Sequence, residues 1–112
     1  MIEVPTTIED VLALGSVPIA ERAALPDCPG VYFLVIDREQ VIYVGISSTS
    51  IRSRWAGHHR LPLTEGCTRP EIFYLPCRGD WRVLRTAETA AIQSLRPIYN
   101  GQPAYRIERT FV

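Results

Sequence analysis

Residues 31–45, with the sequence VYFLVIDREQVIYVG, contain two runs of β-branched and aromatic residues separated by the polar group Asp37-Arg38-Glu39-Gln40. This pattern is typical of two strands joined by a tight turn. Because both runs are almost entirely apolar, we expect the hairpin to be central in a sheet and buried on both faces.

The register of this hairpin decides whether its two tyrosines share a face. A loop of two or four residues pairs positions whose numbers sum to 77, which sets Tyr32 opposite Gly45 and makes Tyr43 its diagonal neighbour on the same face. The phenols would then be about 5 to 8 Å apart, and Gly45 would leave room in front of the Tyr32 ring. A loop of three or five residues would put the tyrosines on opposite faces. Tyrosine is also a common strand residue, and a glycine in a strand commonly marks a bulge.

Residues 1–30 combine a short helical pattern after Thr7 with a turn-prone run near Gly30. We expect a helical lead-in that packs on the domain. Further along, residues 71–77 form a third strand candidate.

Two helical segments place polar residues on apolar stripes. Ser50 can cap a helix whose inward stripe is Ile51, Arg54, Trp55 and His58. Asp80 can cap a second helix, which Pro97 ends, and Glu88 falls inside its apolar stripe of Leu84, Ala87, Ala91, Ile92 and Leu95. Taken singly, each polar residue has a simpler explanation: a glutamate that reaches solvent, a core histidine or a surface ion pair. Three such residues on two helices favour a common site, because a buried carboxylate needs an arginine, a metal ion or water.

Composition indicates one soluble, intracellular domain, and we expect a cytoplasmic protein. The chain has 112 residues, 46% of them hydrophobic, and no apolar window long enough to span a membrane. Cys28, Cys67 and Cys77 are odd in number and widely spaced, which favours reduced thiols over disulfides or a zinc site.

Charge is distributed unevenly although the chain is neutral overall. Residues 1–40 hold seven acids and two arginines, net −5, whereas residues 41–112 hold five acids and ten arginines, net +5. The second part suits contact with a polyanion such as DNA. All twelve cations are arginine, which grips phosphates bidentately but also follows from genome base composition.

Several of these residues together resemble a known family. The segments Gly30-Val31-Tyr32 and Tyr43-Val44-Gly45, separated by ten residues, resemble the paired motif that names the GIY-YIG nucleases. Residues 51–55 with His58 resemble the arginine helix of that family, and Glu88 and Asn100 resemble its metal-binding glutamate and closing asparagine. The resemblance covers residues 25–101.

The resemblance implies an α/β fold of the α+β type, with a three-stranded, mostly antiparallel sheet flanked by helices. Residues 1–112 would form one nuclease domain, with a lead-in over 1–24, the family core over 25–101 and a tail over 102–112. The implied activity is hydrolysis of DNA phosphodiesters with one divalent metal ion, Mg²⁺ or Mn²⁺.

The same resemblance implies a catalytic role for each of several residues. Glu88 would hold the metal ion, Arg54 would clamp a nonbridging phosphate oxygen, and Asn100 would fix the chain after the helix. Tyr32 is the preferred general base, with help from His58, and Tyr43 would align the water or the phosphate.

Outer arginines are candidates for contacts with flanking phosphates, namely Arg52, Arg60 and Arg69. The sequence departs from many family members at Ile46 and Ser47, where they carry a lysine. Two alternatives therefore stay open: an inactive module that binds DNA or protein, and a nuclease subunit of a larger repair or restriction assembly. The oligomeric state is left open.

Overall fold

A computed structural model describes residues 3–57 and 61–100 of the chain. Its helices are α1 (Ile8–Leu12), α2 (Ile51–Ala56) and α3 (Trp81–Leu95), with 3-10 helices at Ile19–Ala24 and Leu61–Thr64. Its strands are β1 (Gly15–Pro18), β2 (Gly30–Ile36), β3 (Gln40–Ser47) and β4 (Pro70–Pro76).

All three predicted helix caps are present. The Thr7 side chain accepts a hydrogen bond from Asp10 N, Ser50 accepts one from Ser53 N, and Asp80 accepts from two backbone N–H groups of α3. Helix α3 ends just before Pro97, as expected, with Arg96 in the left-handed conformation. None of the described helices is long and apolar enough to cross a membrane. The three cysteines are free thiols, as predicted.

The sheet has four strands in the order β1-β4-β2-β3, and each neighbouring pair is antiparallel. The prediction of three strands was therefore wrong by one. The extra strand, β1, lies in the lead-in that was expected to be only helical. Its sequence, GSVP, has no run of β-branched residues, and it is held by pairing with β4 and by a 2.5 Å hydrogen bond from Ser16 Oγ to Glu71.

The hairpin has the predicted register but reaches it by a different route. Its pairs are Tyr32 with Gly45, Leu34 with Tyr43, Val35 with Val41, and Ile36 with Gln40. The loop between the strands spans three residues, with Asp37 and Arg38 at positive φ, and this length alone would have separated the tyrosines. An irregularity between Leu34 and Val35 shifts the register by one residue, so both tyrosines return to the same face.

Strand β2 is central and buried on both faces, as predicted, whereas β3 lies at an edge of the sheet. The segment after α3 covers part of that edge, since Tyr99 N donates to Ile42 O. Of the two hairpin strands, only β2 is therefore central, and the prediction of a central position was wrong for β3.

The two faces of the sheet carry separate cores. On one face, α1 and α3 pack through Val11, Leu84, Ala87 and Ala91 against Val31, Phe33, Val44 and Phe73. On the other face, Ile51 and Trp55 of α2 pack against Tyr32, Leu34, Leu25 and Ile72. The helices that carry Arg54 and Glu88 therefore pack on opposite faces of the sheet. The apolar stripes decide this, because each helix buries its stripe against a different side of the same strands.

Candidate active site

Tyr32 lies with its ring over Gly45 of the neighbouring strand. A Cβ atom at Gly45 would come within 2.5 Å of Tyr32 Cε1, Cζ and Oη. The Tyr32 side chain is fully buried, and Trp55 packs edge-on against its ring with 5.3 Å between the centroids. Glycine at position 45 thus makes the space that the hydroxyl end of Tyr32 occupies.

Arg54 reaches the Tyr32 hydroxyl from α2. The buried residues Ile51 and Trp55 fix this short helix, and Arg54 lies at its exposed side. Its guanidinium nevertheless donates a hydrogen bond to the phenol oxygen of Tyr32. This bond, followed by the electrostatic effect of the same tyrosine, raises the pKa of Arg54. The Arg54 guanidinium is therefore held by Tyr32, while the residue as a whole is exposed to solvent.

Burial dominates the acid–base behaviour of Tyr32. Removal from water raises the pKa of the phenol strongly, and the Arg54 hydrogen bond offsets only part of that rise. The nearby Tyr43 and Glu88 raise the pKa of Tyr32 further. In this structure Tyr32 keeps its proton at neutral pH.

Tyr43 is the diagonal neighbour of Tyr32 on the same face. The ring centroids are 6.4 Å apart and the rings are tilted by 37°. Tyr43 is half-buried, whereas Tyr32 is inaccessible to solvent. Of the two phenols, Tyr43 is thus the more accessible to a ligand or to water.

Glu88 supplies the carboxylate near this cluster. It lies on α3 beside the buried residues Leu84, Ala87 and Ala91, and its side chain is 17% exposed. Desolvation raises the pKa of Glu88, and the positive charges of Arg85 and Arg54 lower it in part. Its ion-pair contact within the described residues is a long one, 4.0 Å from Arg85 Nε to Glu88 Oε1. A mostly buried carboxylate is therefore left with little local compensation.

Asn100 binds the outer edge of β3 beside Tyr43. Its side chain accepts a hydrogen bond of 2.6 Å from Val44 N and donates one of 2.8 Å to Val44 O. The amide thus takes the place of a neighbouring strand and holds the chain after α3 against the hairpin.

The other predicted residues have varied positions. His58 and Arg60 lie outside the described residues. Arg52 donates through Nε to Leu25 O at 2.9 Å and has an Nη1 atom 4.0 Å from Asp27, so part of its guanidinium is engaged within the protein. Arg69 is exposed just before β4, at a φ of 51°.

Gly30, the first glycine of the paired motif, allows close packing between elements. A Cβ atom there would overlap Leu75 O and would lie 2.8 Å from Ile51 Cδ1. Ile46 and Ser47, where the sequence departs from the GIY-YIG pattern, have structural contacts. Ile46 is in the apolar core, and the Ser47 hydroxyl bonds the backbone of Ser50 at the start of α2.

A cavity of about 380 Å³ lies next to Arg54, and sequence reasoning missed it. It is lined by Ile46, Ser47, Ser48, Thr49, Ser53, Arg54 and Trp81. Trp81 is 55% exposed, the largest such value among the exposed large hydrophobic residues of the described chain. The signal in the sequence was a tryptophan at the first position of a helix, one turn before the buried residue Leu84.

The residues present fit a hard divalent cation held in part by water. No group of three or more acidic, histidine or cysteine residues occurs within the described ranges, so a closed metal cage is not built there. Mg²⁺ is commonly held by only one or two carboxylates, with water and phosphate oxygens as the other ligands. The weakly compensated carboxylate of Glu88 has the chemistry required of such a ligand.

Comparison with solved structures identifies the fold. The chain matches the GIY-YIG N-terminal endonuclease domain of UvrC from Thermotoga maritima bound to magnesium, with a TM-score of 0.58 and 20% identity over 73% of this chain and 94% of that one. A tyrosine-to-phenylalanine variant of that domain, bound to its catalytic divalent cation, matches with a TM-score of 0.59 and 19% identity over 73% and 94% of the two chains. An asparagine-to-alanine variant matches with a TM-score of 0.56 and 20% identity over 75% and 96%.

No protein-family model and no curated protein matches the sequence. The structural matches cover nearly the whole of the compared domain and include its antiparallel sheet and flanking helices. The GIY-YIG-like fold predicted from the paired motif is therefore confirmed, and this chain has the fold of the GIY-YIG endonuclease domain.

Proposed function

We propose that this protein is a divalent-metal-dependent endonuclease that hydrolyses DNA phosphodiester bonds. The observation that carries the proposal is the pair of phenols, Tyr32 and Tyr43, with ring centroids 6.4 Å apart, and the Arg54 guanidinium and Glu88 carboxylate that act on Tyr32. An anchored cation, two phenols and a mostly buried carboxylate are the groups that phosphoryl transfer needs for charge stabilisation and proton movement. The fold shared with a magnesium-bound endonuclease domain supports the same conclusion.

Arg54 is the proposed phosphate clamp. Its planar guanidinium has five N–H donors, so one can stay on Tyr32 while others bind a nonbridging phosphate oxygen. The bond to Tyr32 restricts the side chain before substrate arrives, which lowers the entropy lost on binding. The clamp should act mainly as negative charge grows on the phosphate oxygens during attack.

Glu88 is the proposed metal ligand. A bound divalent cation, Mg²⁺ or Mn²⁺, would neutralise charge on the phosphate and stabilise the leaving oxygen. Burial makes the free carboxylate of Glu88 costly, and a cation would relieve that cost. We propose that one ion is held, because one carboxylate is available among the described residues near the tyrosines.

The burial of Tyr32 changes the preferred assignment of the general base. A phenol whose pKa is raised by burial is a weak acceptor of a proton from water at neutral pH. We therefore assign the base to Tyr43, which is half-exposed on the same face, and give Tyr32 the task of orienting Arg54. His58 stays a proposed helper of the base.

Incubation of supercoiled plasmid with the protein tests the activity directly. We expect nicking with Mg²⁺ or Mn²⁺ and none with a chelator. Glu88→Ala should remove cleavage, whereas Glu65→Ala, which removes an exposed carboxylate at the end of a 3-10 helix, should leave it unchanged. A folded wild-type protein that binds DNA but never nicks it with either metal would overturn the proposal and favour a DNA-binding module.

The two tyrosines can be separated by the pH dependence of cleavage. Tyr43→Phe should remove the base, so the remaining rate should lose its rise with pH. Tyr32→Phe should lower the rate while keeping the shape of the wild-type profile, since it removes only the partner of Arg54. The opposite pattern would return the role of base to Tyr32.

A further inference from the structure

We propose that Trp81 and the cavity beside Arg54 form a nucleotide subsite in which the indole stacks on one base of the bound DNA strand. The inference rests on the proposed function, because it places the subsite next to the phosphate that Arg54 would clamp. It names a ligand for a cavity in which, among the described lining residues, Arg54 is the one with a proposed catalytic role.

The first observation is the position of Trp81. It is the first residue of α3, on the same helical face as Leu84 and Ile92, and yet 55% of it is exposed. The guanidinium of Arg85 lies over the indole ring, 5.2 Å from its centroid. Arg85 thus supports the ring from one side, while the exposed area offers a flat apolar surface to a ligand.

The second observation is the polarity of the cavity that Trp81 borders. Ser48, Thr49 and Ser53, all hydroxyl-bearing residues, line it together with Arg54. Hydroxyls and guanidinium groups are the common partners of phosphate and sugar oxygens, whereas an apolar partner would find few matching surfaces there. The cavity volume of about 380 Å³ is of the size that small ligands occupy.

The third observation is the charge around the indole. Residues 78–85, RGDWRVLR, carry three arginines and one aspartate, and the carboxylate of Asp80 is turned to the backbone N–H groups of Arg82 and Val83. An aromatic ring in an arginine-rich segment is typical of proteins that bind single strands, with stacking for the base and arginine for the backbone. The charge therefore favours nucleic acid over a basic or apolar protein partner.

Geometry connects this subsite to the proposed chemistry through one residue. Arg54 borders the cavity and also donates to the Tyr32 hydroxyl. A strand whose phosphate lies at Arg54 would thus have a neighbouring nucleotide within the cavity, where its base can meet Trp81. Stacking there would hold the strand in register for cleavage.

The chain offers a direct optical test, because it has two tryptophans and the other, Trp55, is fully buried. A short duplex and the matching single strand are titrated into the full chain at low salt with a chelator, so that binding is measured without cleavage. We expect DNA to quench the emission of Trp81 and to protect it from iodide. Trp81→Ala should remove this signal and weaken binding about 5- to 150-fold, the range for one base–aromatic stack.

Two further variants distinguish loss of base stacking from a general disturbance of α3. Trp81→Phe keeps an aromatic surface and should retain most of the affinity. Val83→Ala removes exposed apolar area from the same turn of α3 and should bind as wild type does. Thermal unfolding should be similar for all of them, since the altered side chains are exposed.

The outcomes separate the subsite from the nuclease activity. If DNA protects Trp81 from iodide but the protein shows no metal-dependent nicking, the subsite is supported and the proposed nuclease activity is contradicted. Nicking with unchanged Trp81 emission, and with Trp81→Ala binding as wild type does, would overturn the subsite alone. A chain that neither binds nor nicks DNA overturns both, and an exposed tryptophan that docks a protein partner would then be the better explanation.

Discussion

Replacing Gly45 with alanine should displace Tyr32 and so weaken both the fold and the site. The new Cβ atom would lie 2.5 Å from three atoms at the hydroxyl end of Tyr32, whereas nonbonded carbon atoms prefer about 3.5 to 4 Å. The ring must therefore move by about 1 Å. It has little room, because Trp55 packs against it and the residue is fully buried.

The expected magnitude follows from a matched comparison with Gly57→Ala. Nothing lies within 4 Å of a Cβ atom at Gly57, so an alanine there meets no steric clash. Both substitutions restrict the unfolded chain by a similar amount, about 0.4 to 1 kcal/mol, so that contribution cancels between them. The difference that remains is the overpacking at Tyr32, about 1 to 3 kcal/mol, or roughly 4 to 12 °C in melting temperature for a domain of this size.

The assay combines calorimetric or circular-dichroism melting of the two variants with their plasmid-nicking rates. Gly45→Ala should also lose about 100-fold in cleavage rate, since a shift of 1 Å in a positioning group can cost that much. Gly57→Ala should cleave as wild type does. If Gly45→Ala melts as high as Gly57→Ala, the close approach of Tyr32 to Gly45 and the argument built on it are refuted.

The other predictions concern the carboxylate, the amide and the arginines. Burial holds the pKa of Glu88 above its ordinary value of 4.5, so the native state binds more protons there than the unfolded state does. The stability of the wild type should therefore fall relative to that of Glu88→Gln as the pH rises from about that value. Unfolding of both proteins measured across pH checks the sign, and parallel curves would contradict it. Asn100→Ala should cost about 1 to 3 kcal/mol, because two hydrogen bonds to Val44 are lost at the edge of β3; a melting temperature equal to wild type would show that the edge is held by other contacts. Arg69→Ala should lower DNA affinity alike on two unrelated duplexes and reduce the slope of log affinity against log salt concentration by about one unit. Selective loss on one duplex would indicate that Arg69 contacts a base. Arg54→Ala should instead reduce turnover more than binding.

The sequence was sufficient for features that depend on neighbouring residues. Side chains at Thr7, Ser50 and Asp80 begin helices by bonding backbone N–H groups within three positions, so these starts were predictable without the fold. The apolar runs on either side of residue 37 specified the hairpin, and the paired motif with its spacing specified the GIY-YIG-like fold. Glu88 was singled out because its place in an apolar stripe is a conflict that helical periodicity alone exposes.

Only the tertiary structure decided features that depend on distant residues. Strand β1 exists because β4 offers it an edge, and its own four residues carry no strand pattern. A register shift between Leu34 and Val35, and not the loop length, put Tyr32 and Tyr43 on one face. The pKa of Tyr32 rises because residues from α2 and the sheet enclose it, and the cavity beside Trp81 forms where α3 approaches the turn after β3. Local patterns fix hydrogen bonds within a few residues, whereas burial, desolvation and cavities arise only when elements far apart in the chain meet.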